Sequence, residues 1–166
     1  MKRFAMFLLV LAALVVAGGF LFPSDLVLAR SIEIDGSPSQ VHHFVNDLKQ
    51  WPEWSPFEAD ITLGEKTEGL GANQSWTSDD GNGNLKFTSS SAEQGVAFDM
   101  EFDGSPASSK IEYSLEDGKT KVTWSFDGNI DIPVIGPYIA MLAKGQISSS
   151  YDRGLESLKA KVEASK

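Results

Sequence analysis

The sequence has no cysteine, two histidines and three arginines among its 166 residues. Without cysteine, disulfide bonds, thiolate nucleophiles and cysteine-bound metals are excluded. The histidines, His42 and His43, are adjacent, so on a helix they point about 100° apart and cannot bind one metal as residues four apart do. The sequence also has no Gly-x-Ser-x-Gly motif, and no histidine partner for a serine nucleophile is evident. We therefore expect no metal site and no cofactor, and we assign no catalytic residue.

Basic residues are also scarce, because 14 lysines and arginines stand against 23 aspartates and glutamates, for a net charge of −9 at pH 7. Proteins that bind nucleic acid concentrate positive charge on one face, where it meets the phosphates. We therefore expect no nucleic acid among the partners of this protein.

The sequence begins with a long apolar run. Residues 4–22 are nineteen consecutive uncharged and mostly apolar residues, preceded by Lys2 and Arg3 and followed by Pro23. As a helix they span about 28 Å, close to the ~30 Å hydrocarbon core of a bilayer. The basic residues before the run orient the N-terminus to the cytoplasm and residues 24–166 outside it, in the periplasm if the source is Gram-negative. The run predicts a single-pass membrane contact through residues 4–22.

A secretory signal sequence is the competing interpretation of this run, since it also has a basic start, an apolar centre and small residues at its cleavage site. Ala17, Gly18 and Gly19 provide such a site. Apolar residues continue through Phe22, however, where a signal sequence usually turns polar. We expect an uncleaved transmembrane anchor over residues 1–23, and a secreted protein if the segment is cleaved.

Residues 24–166 are sufficient for one domain with its own core, and a chain that is 42% hydrophobic and 10% aromatic indicates that this domain folds. Leu26–Asp35 alternates as a strand. Ser37, Pro38 and Gln40 then form a helix start, with an N-cap, a proline in the first turn and a capping-box glutamine. A second short helical turn carries three aromatic residues, Trp51, Trp54 and Phe57.

The middle of the chain has the pattern of an antiparallel sheet. From Asp60 to Ile130 apolar residues recur at every second position between turn residues, which predicts a meander. The clearest turns are Asp79–Asn84 and Glu116–Lys119, where Asp-Gly and Asn-Gly pairs tolerate positive φ. One sheet face is apolar, and a helical segment from about Pro137 to Val162 has an apolar stripe that would cover it.

Residue blocks in this order are characteristic of one superfamily. The opening block consists of Arg30–Ile34, Ser37–Val41, Phe44–Leu48 and Trp51–Phe57, and weaker blocks are Gly69–Ala72, Thr120–Ser125 and Gly154–Lys159. Over about residues 25–163 the chain resembles the polyketide cyclase/dehydrase-like branch of the START-like (SRPBCC) superfamily, in which members with an N-terminal membrane anchor are familiar. The resemblance implies an α+β helix-grip fold, in which a curved antiparallel sheet of about six or seven strands wraps around a long C-terminal helix.

The resemblance also implies an elongated apolar cavity that takes lipids, sterols, polyketides or other apolar small molecules. A residue that alternation places inside a sheet would serve equally well as ordinary core. The segment from Gly136 to Leu142 would be a gate at the cavity mouth, the packed start of the last helix, or a contact with the membrane. The candidates to line the cavity are Trp76, Phe87, Phe98, Met100, Tyr113, Trp124, Phe126, Tyr138, Met141 and Leu142.

Polar groups in the cavity, often including an arginine, serve the polyketide aromatases that this chain resembles. None of Arg3, Arg30 and Arg153 falls on the inward face of the predicted meander, which favours binding over catalysis. The leading hypothesis is a membrane-anchored domain that binds a hydrophobic small molecule or lipid. Two alternatives stay open: a cyclase-, dehydratase- or hydrolase-type enzyme in the same cavity, and a protein-interaction module at the membrane. The sequence leaves the oligomeric state undetermined.

Overall fold

The computed structural model describes residues 2–57, 59–79 and 81–165. It contains three helices and seven strands in these residues, besides a short 3₁₀ turn at Trp51–Glu53. The helices are α1 (Lys2–Leu21), α2 (Pro38–Val45) and α3 (Gly136–Ala164). The strands are β1 (Asp25–Ile34), β2 (Asp60–Leu63), β3 (Asn73–Ser78), β4 (Gly81–Ser91), β5 (Gly95–Phe102), β6 (Ser105–Glu116) and β7 (Lys119–Asn129).

The seven strands form one antiparallel sheet in the order β1-β7-β6-β5-β4-β3-β2. The first strand pairs with the last, so β1 and the four-residue β2 are the two edges. Helix α3 packs chiefly against β1, and its buried side carries Tyr151, Leu155, Leu158 and Val162. The helix-grip fold expected from the resemblance is confirmed, with seven strands.

Helix α2 begins as its sequence predicts. The Ser37 hydroxyl accepts a hydrogen bond from the Gln40 backbone N–H at 3.3 Å, and the Gln40 side chain accepts one from the Ser37 N–H at 2.8 Å. This reciprocal cap satisfies two N–H groups that a helix start leaves free. At the other end, the indoles of Trp51 and Trp54 donate to the carbonyls of Val45 and Phe44, at 2.9 and 3.0 Å. The first end of α2 is thus capped locally, and its last turn is held by two buried indoles.

One predicted turn is shorter in the structure. Strand β4 already begins at Gly81, so residues 81–84 of the predicted turn Asp79–Asn84 belong to the strand, and Asp80 lies outside the described residues. Glycine permits this longer pairing, because Gly83 lies opposite Trp76 and a Cβ at Gly83 would lie only 2.2 Å from the Trp76 ring. The turn at Glu116–Lys119 is confirmed, with Asp117 and Gly118 both at positive φ.

Helix α3 packs closely on the core at Gly154. A Cβ there would lie 2.8 Å from Pro56 Cδ and 3.0 Å from the Trp124 ring, whereas a Cβ at Gly145 on the same helix would meet nothing within 4 Å. Glycine at position 154 therefore permits a close contact between the helix and the rings beneath it.

We expect Gly154→Ala and Gly145→Ala to change the free energy of unfolding in opposite directions. Alanine gains up to about 1 kcal/mol over glycine inside a helix. At Gly154 that gain is outweighed by overpacking, which costs about 1–3 kcal/mol. Denaturant unfolding of the full chain in detergent, followed by circular dichroism, measures both changes, and stabilisation by both substitutions would contradict the close contact.

Candidate functional site

Strand pairing arranges the inward side chains in rows that cross the sheet. We call the end where β1 begins, close to the end of α1, the proximal end of the sheet. The row nearest this end consists of Ile61, Trp76, Gly83 and Phe102. The second row consists of Leu63, Gln74, Leu85, Met100, Ala107, Gly128 and Leu26, and the third of Phe87, Phe98, Ser109, Phe126 and Leu28.

Aromatic rings fill the centre of the grip between α3 and the sheet. Phe87 and Phe98 stack with centroids 5.7 Å apart, and the Trp51 ring lies against both. Trp124 stacks on Tyr151 of α3 at 4.0 Å. All five are buried. In this conformation the rings occupy the middle of the fold, which leaves its ends as the places where a ligand can enter.

The proximal end is apolar and only partly covered. Phe102 is 41% exposed, and Ile61 and Leu63 of the edge strand β2 are exposed to a similar degree. Trp76 and Met100 are half-buried beside them. We call these five residues the proximal mouth. Burial increases inward from this mouth to the third row, where Phe87 and Phe98 are covered almost completely.

An open cleft of about 790 Å³ lies beside the edge strand β1. Its helix side is formed by Met141, Lys144, Gly145 and Ser148 of α3. Its sheet side is formed by residues of β1, β6 and β7, among them Leu28, Arg30, Lys110, Glu112, Phe126 and Asp127. The cleft therefore combines apolar walls with charged groups of both signs.

Arg30 is the functional candidate that the sequence analysis missed. It lies on the same face of β1 as the inward residues Leu28 and Ile32, and it pairs with Trp124 across the sheet. Its Nε lies 3.3 Å from Asp152 Oδ2 of α3, at the border of the cleft. The alternation of Ile32 and Ile34 already contained this signal, because Arg30 lies two residues before Ile32 on the same face of β1.

Two buried side chains of the sheet, Trp124 and Gln74, carry polar atoms that need hydrogen-bond partners. The Trp124 indole donates to Ser109 Oγ at 3.1 Å, and that hydroxyl in turn donates to the Ser125 carbonyl at 2.6 Å. Ser109 Oγ also lies 3.4 Å from the Tyr151 hydroxyl. The partner of Trp124 is therefore a protein hydroxyl. By contrast, Gln74 Oε1 in the second row is buried without a hydrogen-bond partner among the described residues.

His42 is partly buried, and both of its ring nitrogens lie near side chains of the sheet. Its Nδ1 lies 3.4 Å from the Tyr113 hydroxyl, and its Nε2 lies 3.3 Å from Ser90 Oγ, which also donates to Asn46. Burial lowers the pKa of His42, with a smaller opposing effect of Glu68. This serine–histidine contact differs from the expectation that no serine has a histidine partner. The Nδ1 of His42 faces a tyrosine hydroxyl, whereas a catalytic triad has a carboxylate at that position. The two contacts of His42 join α2 to the sheet.

The ten candidate residues fall into separate groups. Phe87, Phe98, Tyr113 and Trp124 belong to the buried core. Trp76 and Met100 form part of the proximal mouth, and Phe126 and Met141 border the cleft. Tyr138, Met141 and Leu142 lie on the first two turns of α3, where Met141 and Leu142 are 69% and 73% exposed. Their role in ligand binding stays a prediction.

The domain is similar in sequence to one protein family and in fold to several solved structures. A family model described as polyketide cyclase / dehydrase and lipid transport matches residues 26–163. No curated protein matches the sequence. Solved structures with the same fold include the di-domain ARO/CYC StfQ from the steffimycin biosynthetic pathway, with a TM-score of 0.68, 11% identity and coverage of 84% of this chain and 51% of that one.

Two further structures match along nearly their whole length. The KanY protein has a TM-score of 0.66 and 16% identity, with coverage of 84% of this chain and 98% of KanY. Protein CV1439 from Chromobacterium violaceum has a TM-score of 0.64 and 13% identity, with coverage of 83% and 97%. At these identities the likeness concerns the fold.

The buried tyrosines predict a loss of stability in alkali. Burial raises the pKa of Tyr151 to about 12, and burial also raises the pKa of Tyr113. Unfolded tyrosine ionises near pH 10, so above that pH the unfolded state loses protons that the folded state retains, and stability falls as pH rises. Each tyrosine contributes a slope of up to about 1.4 kcal/mol per pH unit.

Denaturant unfolding between pH 8 and 12 measures this slope. We expect the contribution of the tyrosines to this slope to be close to zero below pH 10. Above pH 10 we expect the slope to be smaller in Tyr151→Phe than in the unmodified chain. An unchanged slope in Tyr151→Phe would mean that its hydroxyl ionises as freely in the folded state as in the unfolded one.

Proposed function

We propose that this chain, which belongs to the polyketide cyclase / dehydrase and lipid transport family, is a membrane-anchored domain that binds a hydrophobic small molecule or lipid at the proximal mouth. Membership of this family supports a role in binding a hydrophobic ligand or in cyclisation. The observation that supports binding here is the mouth itself: its partly exposed apolar residues lie at the same end of the sheet as the start of β1, which follows α1. Apolar surface left open to water at one end of a core is typical of a binding site.

Membrane anchoring is supported by the length and exposure of α1. Residues Arg3–Leu21 are apolar enough to cross a bilayer, and only 6% of this span is buried, although signal sequences share both properties. A packing contact favours an uncleaved segment, because the Tyr138 hydroxyl donates to the Val15 carbonyl at 2.9 Å. Cleavage near Ala17–Gly19 would remove this contact. The proposed topology places the N-terminus in the cytoplasm and residues 24–166 outside it.

The mouth suits a ligand with an apolar body and few polar groups. Trp76, Met100 and Phe102 would contact the apolar part. Gln74 Oε1 lies in the second row, between Leu63 and Leu85, and lacks a hydrogen-bond partner among the described residues, so it would accept a hydrogen bond from a ligand hydroxyl or amide. Satisfying such a buried acceptor is worth about 1–3 kcal/mol. Lipids and polyketides both meet this description.

A cyclase-type enzyme is the second candidate, and Arg30 is the observation that favours it. The cleft brings this arginine together with Lys144 and Ser148, polar groups that would orient a ketone or phenol. Turnover of a soluble polyketide mimic by the full chain tests this candidate. It is supported if Arg30→Met abolishes turnover while Arg153→Met, at an exposed position of α3, leaves it intact.

We expect Phe102→Ser to weaken lipid binding and Leu115→Ser to leave it unchanged. Both residues are exposed apolar residues with inward registers, but Leu115 lies at the opposite end of the sheet. Loss of the Phe102 contact would cost about 1–2 kcal/mol, or about five- to thirty-fold in affinity. Native mass spectrometry of the full chain released from phosphatidylcholine nanodiscs gives the fraction that retains one lipid.

Equal retention by both variants and the unmodified chain would rule out the proximal mouth as the lipid site. If the unmodified chain retains no lipid, the same measurement with added polyketide or sterol decides whether it binds another hydrophobic molecule.

A further inference from the structure

A second uncharged segment lies at the proximal end. The twelve residues from Ile132 to Ala143 carry no charge and lie between Asp131 and Lys144. They form the loop after β7 and the first two turns of α3, and we call them the corner segment. Five of its large apolar side chains are between 38% and 73% exposed, namely Ile132, Ile135, Ile139, Met141 and Leu142. A soluble domain rarely exposes so many neighbouring apolar residues.

The corner segment packs directly against α1. Besides the hydrogen bond from Tyr138 to the Val15 carbonyl, the backbone of Val134 approaches Gly19 closely. A Cβ at Gly19 would lie 2.1 Å from the Val134 oxygen, and one at Gly18 would lie 2.3 Å from the Tyr138 hydroxyl. Small residues at such positions let helices approach each other in membranes. The contact therefore involves the C-terminal part of the apolar helix over at least residues 15–19.

This contact fixes the depth of the corner segment relative to the apolar helix. Val15 lies six residues before the end of α1 at Leu21, which is about 9 Å along a helix axis. If residues 15–21 stood outside the bilayer, only residues 4–14 would remain to span it, or about 16 Å of the ~30 Å required. A helix that spans the bilayer with its whole apolar length must bring the corner segment into the membrane with it.

The charges at the proximal end restrict entry to this corner. The turns β3–β4 and β5–β6 lie at the same end of the sheet, and they carry Asp79 and Asp103. Aspartate is costly to place in hydrocarbon. The edge of the sheet that carries these turns must then stay in water. Asp25 at the start of β1 and Asp131 after β7 would lie at the level of the lipid headgroups, so the corner segment is the part of this end that faces the hydrocarbon.

We propose that the corner segment Ile132–Ala143 enters the outer half of the bilayer beside α1, where its exposed side chains contact lipid acyl chains. This inference rests on the anchoring proposed above. Met141 belongs to both the corner segment and the cleft wall, so the cleft would open at the level of the lipids. Lipid of the bilayer would then reach this cleft laterally, at the β1 side of the sheet and apart from the proximal mouth.

Site-directed spin labelling of the full chain tests this placement, and the absence of native cysteine makes single-cysteine variants specific. Labels at Ile135→Cys and Leu142→Cys report on the corner segment. Ser105→Cys is the matched control, since it is exposed at the same end of the sheet next to Asp103. Val10→Cys reports on α1. In phosphatidylcholine vesicles, collision with oxygen indicates hydrocarbon and collision with a water-soluble nickel chelate indicates water.

We expect the labels at Ile135, Leu142 and Val10 to lose collisions with nickel and retain those with oxygen, and the label at Ser105 to collide freely with nickel.

Nickel collisions at Ile135 and Leu142 as frequent as at Ser105, with Val10 still shielded, would overturn the inference while the anchor stands. Nickel access at Val10 as well would overturn both. Shielding of Ile135 and Leu142 from both reagents would show a protein neighbour, such as a second copy, instead of lipid. Lipid retention by mass spectrometry is measured separately, so binding at the mouth stands or falls independently.

Discussion

The pairing of β1 with β7 is the constraint on which the arrangement of the domain depends. Strand β1 follows α1 after three residues, and β7 leads through a short loop into α3. Because these two strands pair along their whole length from Asp25↔Asn129 to Ile34↔Thr120, the end of α1 and the start of α3 must lie at the same end of the sheet. The same register places the partly covered rows of inward residues at that end. For this one reason the apolar helix, the corner segment and the proximal mouth all lie at one end of the sheet.

Much of the fold follows from local patterns in the sequence. The alternation of apolar and polar residues predicted the strands. Ser37 and Gln40 predicted the start of α2, because the cap that they form depends on only four residues. The shortened turn after β3 was not predictable in this way, since it depends on how the Trp76 ring lies against Gly83 of the next strand. Local turn propensity was overridden there by a contact between strands.

The candidate site was less predictable than the fold. Alternation places Phe87 and Trp76 equally inside the sheet, but it does not say which of them Trp51 will cover. That depends on where α2, the 3₁₀ turn and α3 meet the sheet, and it separates a filled centre from a partly open end. The contact of Tyr138 with Val15 joins residues 123 positions apart, beyond the reach of any local pattern. Arg30, in contrast, was within reach of the alternation of β1.

The sheet order also has a consequence for how the chain folds. Strand β1 emerges first, yet its partner β7 lies about ninety residues later, and closing so long a loop makes folding slow compared with forming adjacent hairpins. The hairpins from β2 to β7 can assemble while β1 still has no partner strand. Completion of the sheet therefore waits for the last strand, and until then the unpaired β1 is a site where chaperones can bind or strands of another copy can pair.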